Sequence, residues 1–100
     1  MEIRIKDNGD ETLFKIIGRL DTATAGEFEK AIAPLIAGNM QKVVIECNEF
    51  EYISSSGLRL FLTLQKTAAK KGGKVIIRAM NADIKNVFDM TGFTNLFIFE

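Results

Sequence analysis

Apolar and polar positions alternate along the first part of the chain with the period of β-strands. In residues 1–6, Ile3 and Ile5 lie on one side of such a strand and charged residues on the other. An Asn-Gly turn at residues 8–9 and a second apolar segment at residues 13–18 follow. Because Asn-Gly is a strong hairpin signal, the first two strands are predicted to pair antiparallel.

The pattern then changes to the helical period. The helix is predicted to begin near Thr22 or Thr24, since Thr24-Ala-Gly-Glu27 has the form of a capping box. Apolar residues recur three and four positions apart after it. Pro34 conflicts with a helix interior, where proline removes a hydrogen bond and clashes with the preceding turn at a cost of about 3 kcal/mol. A kink or an early end is therefore expected there.

The remaining elements alternate between strand and helix. This predicts an α/β domain of order β-β-α-β-α-β-α-β with a mixed, mostly parallel sheet, because short strand–helix–strand units favour parallel pairing. Binding sites in such sheets gather at the C-terminal ends of strands, where Asp21 and Ser56 fall. The later segments are a strand at 43–47 of the kind covered on both faces, a helix from the serines at 54–56 to the glycines at 72–73, a strand at 75–77, a helix from Asn81 to Gly92 and a strand at 96–99.

Three serines and a glycine, Ser54 to Gly57, connect an apolar segment to a leucine-rich helix. Ser54 or Ser55 suits the helix N-cap, because a hydroxyl oxygen can accept from the unpaired amides of the first turn. Ser56 would project a hydroxyl at the positive end of the helix, where a phosphate is favoured. On local physics alone, a serine-rich helix start is more often a cap than a modification site.

The same residues resemble the signature of STAS domains, especially that of the bacterial anti-anti-sigma factors. Ile53-Ser-Ser-Ser-Gly-Leu58 is similar to the family's Asp-Ser-Ser-Gly-Leu. Gly18-Arg-Leu-Asp-Thr-Ala-Thr-Ala25 is similar to its Gly-x-Leu-Asp-x-x-x-Ala, and Val87-Phe-Asp-Met-Thr-Gly-Phe93 resembles its last helix. The resemblance spans nearly the whole chain and implies one STAS domain over residues 1–100. Ser54 departs from it by standing where the family usually has Asp.

The resemblance implies an anti-sigma factor antagonist. The unphosphorylated form would bind an anti-sigma factor with serine kinase activity and free the sigma factor, the kinase would phosphorylate Ser56, and a phosphatase would reset the switch. On the residues alone, Asp21 is explained equally well as a local cap of the first helix. The partner-binding residues implied beside Ser56 are Asp21, Thr22, Ser54, Ser55, Gly57, Leu58 and Arg59.

Two other functions are also compatible with the sequence. The chain also looks similar to the small STAS subunits of lipid-transport ABC systems, which dock on an ATPase without phosphorylation. A module that senses a small ligand or a nucleotide at the helix start is the second alternative. The serine-rich segment lacks the lysine and flanking glycines of a phosphate-binding loop, which weakens the nucleotide hypothesis.

Composition and charge limit the chemistry. The chain has no histidine, so Ser-His-Asp and Cys-His catalysis and a histidine metal site are excluded. Its carboxylates show no acid–base or metal spacing, and we expect neither an enzyme nor a cofactor or metal. Residues 1–50 hold six basic and nine acidic side chains, and residues 51–100 hold seven and four, an imbalance too small to indicate direct nucleic-acid or membrane binding.

The remaining expectations concern location and the lone cysteine. No segment resembles a signal peptide or is long and apolar enough to span a membrane, which predicts a cytoplasmic protein. With 100 residues, 47% of them apolar, the chain suits a single hydrophobic core. Cys47 is the only cysteine and is predicted to pack as a small apolar side chain at the end of a strand.

Overall fold

Strands and helices alternate along the chain in the predicted order. The computed structural model describes residues 1–100, and no helix in it is both long and apolar enough to cross a membrane. The elements are β1 (Glu2–Asp7), β2 (Thr12–Leu20), α1 (Ala25–Ala37), β3 (Lys42–Ile53), α2 (Ser55–Lys70), β4 (Lys74–Arg78), α3 (Ala82–Thr91), a short 3₁₀ turn (Thr94–Leu96) and β5 (Ile98–Phe99).

The five strands form one sheet in the order β1-β2-β3-β4-β5. β1 pairs with β2 antiparallel, which confirms the predicted hairpin, and the other pairs are parallel. A single hydrophobic cluster contains residues of all three α-helices, including Phe28, Phe61 and Phe88. The three helices therefore pack on the same face of the sheet, as successive right-handed crossovers in one direction require.

The opposite face of the sheet carries no helix, which corrects the expectation that the third strand is covered on both faces. Val43 and Ile45 belong to the cluster under the helices, whereas Val44 points away from it. Val44 is nevertheless 0% exposed. It lies in register between Leu13 of β2 and Ile76 of β4, so neighbouring side chains on the sheet enclose it.

Several boundaries differ from the predicted ones. β3 runs to Ile53, so the segment before the serines is strand. Helix α1 does not end early at Pro34 but continues to Ala37, because the proline lies in the last turn and the Gly38 amide donates to the Pro34 carbonyl at 3.1 Å. The last strand is only two residues long, because the chain before it forms the 3₁₀ turn.

The ring of Phe61 lies at the centre of the core and fixes helix α2 to the sheet. It stacks on Phe28 of α1 and Phe50 of β3 with centroids 5.5 and 5.9 Å apart, and meets the edge of Phe88 of α3 at 5.7 Å. Such aromatic pairs add about 0.5–1.5 kcal/mol each beyond burial. The helix start that carries the serines is thus held on a rigid support.

Candidate functional site

The ends of β2 and β3 lie side by side at the C-terminal edge of the sheet. Leu20 and Ile53 are register partners, and the Ser54 amide donates to the Leu20 carbonyl at 2.8 Å. The turn that begins at Asp21 therefore adjoins the start of α2. The structure brings together the two junctions that the sequence placed at this edge.

Ser54 is the N-cap of α2. Its backbone is extended (φ −91°, ψ 173°), and its Oγ accepts a hydrogen bond from the Gly57 amide at 3.2 Å. Of the two predicted candidates, Ser54 rather than Ser55 serves as the cap. An aspartate would accept the same bond, because Asp and Ser are about equally good N-caps. The departure from the family pattern at this position therefore preserves the cap.

Two of the predicted partner-binding residues are buried. Leu58 is 6% exposed, and Gly57 is also buried, against the side chain of Leu20 at the end of β2. A Cβ added to Gly57 would be 2.6 Å from Cγ of Leu20 and 3.1 Å from Cγ1 of Ile53. Glycine thus lets the first turn of α2 approach the sheet closely. Both residues position the helix start and do not form part of its exposed surface.

Asp21 caps the turn before α1, which is the local role that the sequence left open. Its Oδ1 accepts from the amides of Ala23 and Thr24 at 3.0 and 3.1 Å, and its Oδ2 is 3.8 Å from Nε of Arg19. The predicted capping box is not formed: the Thr24 side chain makes no cap hydrogen bond, and its hydroxyl donates to the Arg19 carbonyl at 2.9 Å. Thr22 is exposed in the same turn.

A shallow groove of about 360 Å³ separates the first turns of α1 and α2. Ser56 lies in it, half-buried, and its hydroxyl has no hydrogen-bond partner, whereas Ser55 is exposed on the surface. The three serines therefore differ in role: one caps, one faces solvent and one faces the groove. The groove is lined by Ala25, Gly26 and Glu29 of α1 and by Ser56, Arg59, Leu60 and Thr63 of α2.

Among the groove residues that the sequence did not indicate, Glu29 is the charged one. Its position on the polar side of α1 indicates an exposed residue, which it is, but the pairing of α1 with α2 at this end cannot be predicted from one helix alone. The available signal is the pair of small residues, Ala25 and Gly26, in the first turn of α1. Small side chains there leave open space beside Ser56.

The other reactive groups of the chain lie away from the groove. Cys47 is 1% exposed, as predicted for an apolar role, and burial raises the pKa of its thiol to about 12, so the thiol stays protonated. The ammonium of Lys71 donates to the carbonyls of Ile36 and Gly38 at the opposite end of the domain. It cannot act as a base for Ser56 from that position.

A mixed α/β sheet with helices on one face, and a capped helix start at its C-terminal edge, define the class of domain. The chain belongs to the STAS domain family, whose sequence model matches residues 2–100.

It is 28% identical over 80 residues to BtrV of Bordetella bronchiseptica, a protein provisionally named an anti-sigma factor antagonist, covering 80% of this chain and 69% of that one. It is 26% identical over 82 residues to the anti-sigma-B factor antagonist of Staphylococcus aureus, covering 82% and 76%.

Solved structures show the same fold. The anti-sigma factor antagonist SpoIIAA in its unphosphorylated form superposes with a TM-score of 0.83 at 16% identity, covering 99% of this chain and 88% of that one. SpoIIAA from Bacillus in its phosphorylated form superposes with a TM-score of 0.77, also at 16% identity, covering 99% of this chain and 91% of that one. These likenesses extend over the whole sheet and all three helices.

Proposed function

We propose that this protein is an anti-sigma factor antagonist, a binding module that is switched off by phosphorylation of Ser56. The unphosphorylated form binds an anti-sigma factor with serine kinase activity and so frees a sigma factor. The kinase transfers the γ-phosphoryl group of ATP to the Ser56 oxygen, which loses its proton, and ADP leaves. A phosphatase hydrolyses the phosphoserine and restores binding.

The position of the unpartnered Ser56 hydroxyl, half-buried in an open groove, is the observation that carries this proposal. A serine that caps a helix has its oxygen engaged, as in Ser54, but Ser56 faces an open groove with no internal bond to lose. Membership of the STAS family and the names of its relatives support the antagonist role. The existence of unphosphorylated and phosphorylated structures of SpoIIAA supports the switch.

Charge provides the mechanism of the switch. A phosphoserine brings about −1.5 to −2 charges at neutral pH. In the free domain the phosphate lies at the start of α2 in contact with water, so the fold tolerates it. In a complex fitted around a neutral hydroxyl, the same charge must be desolvated although the anti-sigma factor offers no group to compensate it. Affinity falls while fold stability is retained.

The test is intact mass and phosphopeptide mapping of the protein recovered from its native cells, followed by binding measurements with the anti-sigma factor that copurifies. We expect one phosphate, located on Ser56 and absent from Ser56→Ala. Ser56→Ala is expected to bind permanently. Ser56→Asp is expected to bind at least about tenfold more weakly, since an uncompensated charge in an interface costs more than about 1.4 kcal/mol.

Ser55→Ala is the matched control, because Ser55 is the adjacent serine but faces solvent. It should keep both the phosphate and the switch. A phosphate that maps to Ser55, or Ser56→Asp protein that binds as tightly as the unmodified protein, would contradict the proposal.

A further inference from the structure

Two charged residues line the groove beside Ser56, and they have opposite signs. Arg59 comes from α2 and Glu29 from α1. Neither side chain forms an ion pair or a hydrogen bond with any residue. On the adjoining turn, Arg19 and Asp21 form an ion pair with 3.8 Å between Nε and Oδ2. The groove therefore contains one unpaired cation and one unpaired anion.

The geometry of α2 directs Arg59 towards Ser56. Residues three positions apart on a helix are surface neighbours, with Cβ atoms about 5–6 Å apart. Every Cα–Cβ bond tilts towards the helix N-terminus, so the side chain of Arg59 leans over the turn that carries Ser56. The arginine stem is long enough to reach a group on the Ser56 oxygen. Its guanidinium is engaged in no ion pair within the domain.

We propose that Arg59 binds the phosphate of phosphorylated Ser56 within the same chain, and that Glu29 across the groove opposes it. This inference rests on the proposed phosphorylation of Ser56. A guanidinium presents a planar set of donors that matches phosphate oxygens, and a doubly charged phosphate is a stronger partner than a carboxylate. The carboxylate of Glu29 repels the same group from the other helix.

The switch then acts through two residues at once. In the unmodified protein, the exposed guanidinium of Arg59 is free to contact a partner. After phosphorylation, the phosphate holds it against the domain surface, so the partner loses a cationic contact as well as the neutral Ser56 hydroxyl. The strength of this internal contact also determines how much of the phosphate remains exposed to a phosphatase.

Phosphorus NMR tests the contact directly. Phosphoserine is incorporated at position 56 of the full chain during translation, which requires no kinase, and the phosphorus chemical shift is followed against pH. A nearby cation favours the doubly charged phosphate and lowers its second pKa, and a nearby anion raises it. Arg59→Gln should therefore raise that pKa by about 0.5 of a pH unit, and Glu29→Gln should lower it by somewhat less.

Matched controls separate the contact from a change in net charge. Lys66→Gln removes the same charge from an exposed position of α2 two turns further on, and Glu27→Gln removes an exposed carboxylate of α1 outside the groove. Both should leave the phosphate pKa nearly unchanged, because salt screens charges beyond about 10 Å. Arg59→Lys should restore part of the shift, since lysine keeps the charge but loses the planar set of donors.

Equal pKa values in the Arg59→Gln and Lys66→Gln proteins would overturn the inference. That result would leave the antagonist function intact, since the function depends on partner binding. Conversely, a protein that shows the predicted shifts but binds no anti-sigma factor would refute the proposed function and leave the Arg59–phosphate contact standing.

Discussion

The two ends of the parallel strands are built in different ways. At the C-terminal end, the helix starts leave Ser56 and Arg59 without partners around an open groove. At the N-terminal end, the chain closes on itself. There, Lys71 bonds two carbonyls at the end of α1, and Gly73 packs directly on the backbone of Met40. The two ends also differ at their glycines: Gly73 lies against backbone atoms of Met40, whereas Gly57 at the C-terminal end lies against the side chain of Leu20.

This difference determines how each end responds to substitution. Backbone atoms in contact cannot move apart without displacing the elements that carry them, because protein interiors are close-packed. A side chain in contact with a helix can change rotamer at lower cost. The N-terminal end should therefore act as a rigid base, and the C-terminal end should tolerate modification. Substitution of one glycine at each end tests the comparison.

The largest effect is expected for Gly73→Ala at the N-terminal end. The added Cβ would lie 1.8 Å from the carbonyl oxygen of Met40 and 2.8 Å from its carbonyl carbon, so the β3 and β4 ends must separate. We expect a loss of at least about 3 kcal/mol in the free energy of unfolding, measured by urea denaturation. Gly72→Ala is the control: it has a φ of +76° but no atom within 4 Å, and should cost only about 1–2 kcal/mol. Equal losses in the two variants would refute the steric explanation.

A smaller effect is expected for Gly57→Ala at the C-terminal end. The contact at 2.6 Å is with the side chain of Leu20, which is fully buried but can adjust at lower cost than backbone atoms. We expect a loss of about 1–3 kcal/mol in thermal or urea unfolding. The loss should shrink when Leu20 is already replaced by alanine, because Leu20→Ala removes the two nearest atoms that the new methyl group meets and leaves Cγ1 of Ile53 at 3.1 Å.

The alternative for Gly57 is a direct role in partner contact. Gly57→Ala protein with unchanged stability but no partner binding would place this residue on the interface and contradict its internal role. Loss of binding in proportion to loss of stability would instead support the packing explanation.

The order of elements was predictable from sequence because each one carries its own local signal. The Asn-Gly hairpin, the Asn81 cap and the stop at Gly92 all depend on residues within a few positions of each other. Asn81 Oδ1 accepts from the Ile84 amide at 2.9 Å, and Gly92 has a left-handed φ of +78°. Such signals need no knowledge of the tertiary fold.

Parts of the site could not be predicted, because they depend on contacts between distant segments. Gly57 looks like an open position in the sequence, and only the end of β2 shows that it is packed. Glu29 is exposed on α1, and only the placement of α2 beside α1 shows that it lines the groove. The failed capping box at Thr24 has a different cause: the Asp21 carboxylate accepts from the Thr24 amide, which Glu27 would have bonded in the box.

The smallest effect in this comparison is expected at Ser54. Ser54→Ala removes the acceptor for the Gly57 amide and should cost about 1 kcal/mol in unfolding free energy. Ser54→Asp should keep the cap and lose nothing, since aspartate accepts the same bond and its charge suits the helix start. Ser55→Ala, which removes an exposed hydroxyl without a hydrogen bond, should change stability by less than about 0.5 kcal/mol.

The Ser54 variants also separate capping from recognition by a kinase. If the usual aspartate of the family serves only as a cap, Ser54→Asp and the natural protein should be phosphorylated at Ser56 at the same rate by the copurifying kinase. The phosphorylation rate of the Ser54→Ala protein should fall only in proportion to the loss of helical structure at the start of α2. A large rate increase in Ser54→Asp would contradict a role limited to capping, and would mean that the kinase reads the charge beside Ser56. The stability measurement then distinguishes the two roles, because recognition changes the rate without changing the free energy of unfolding.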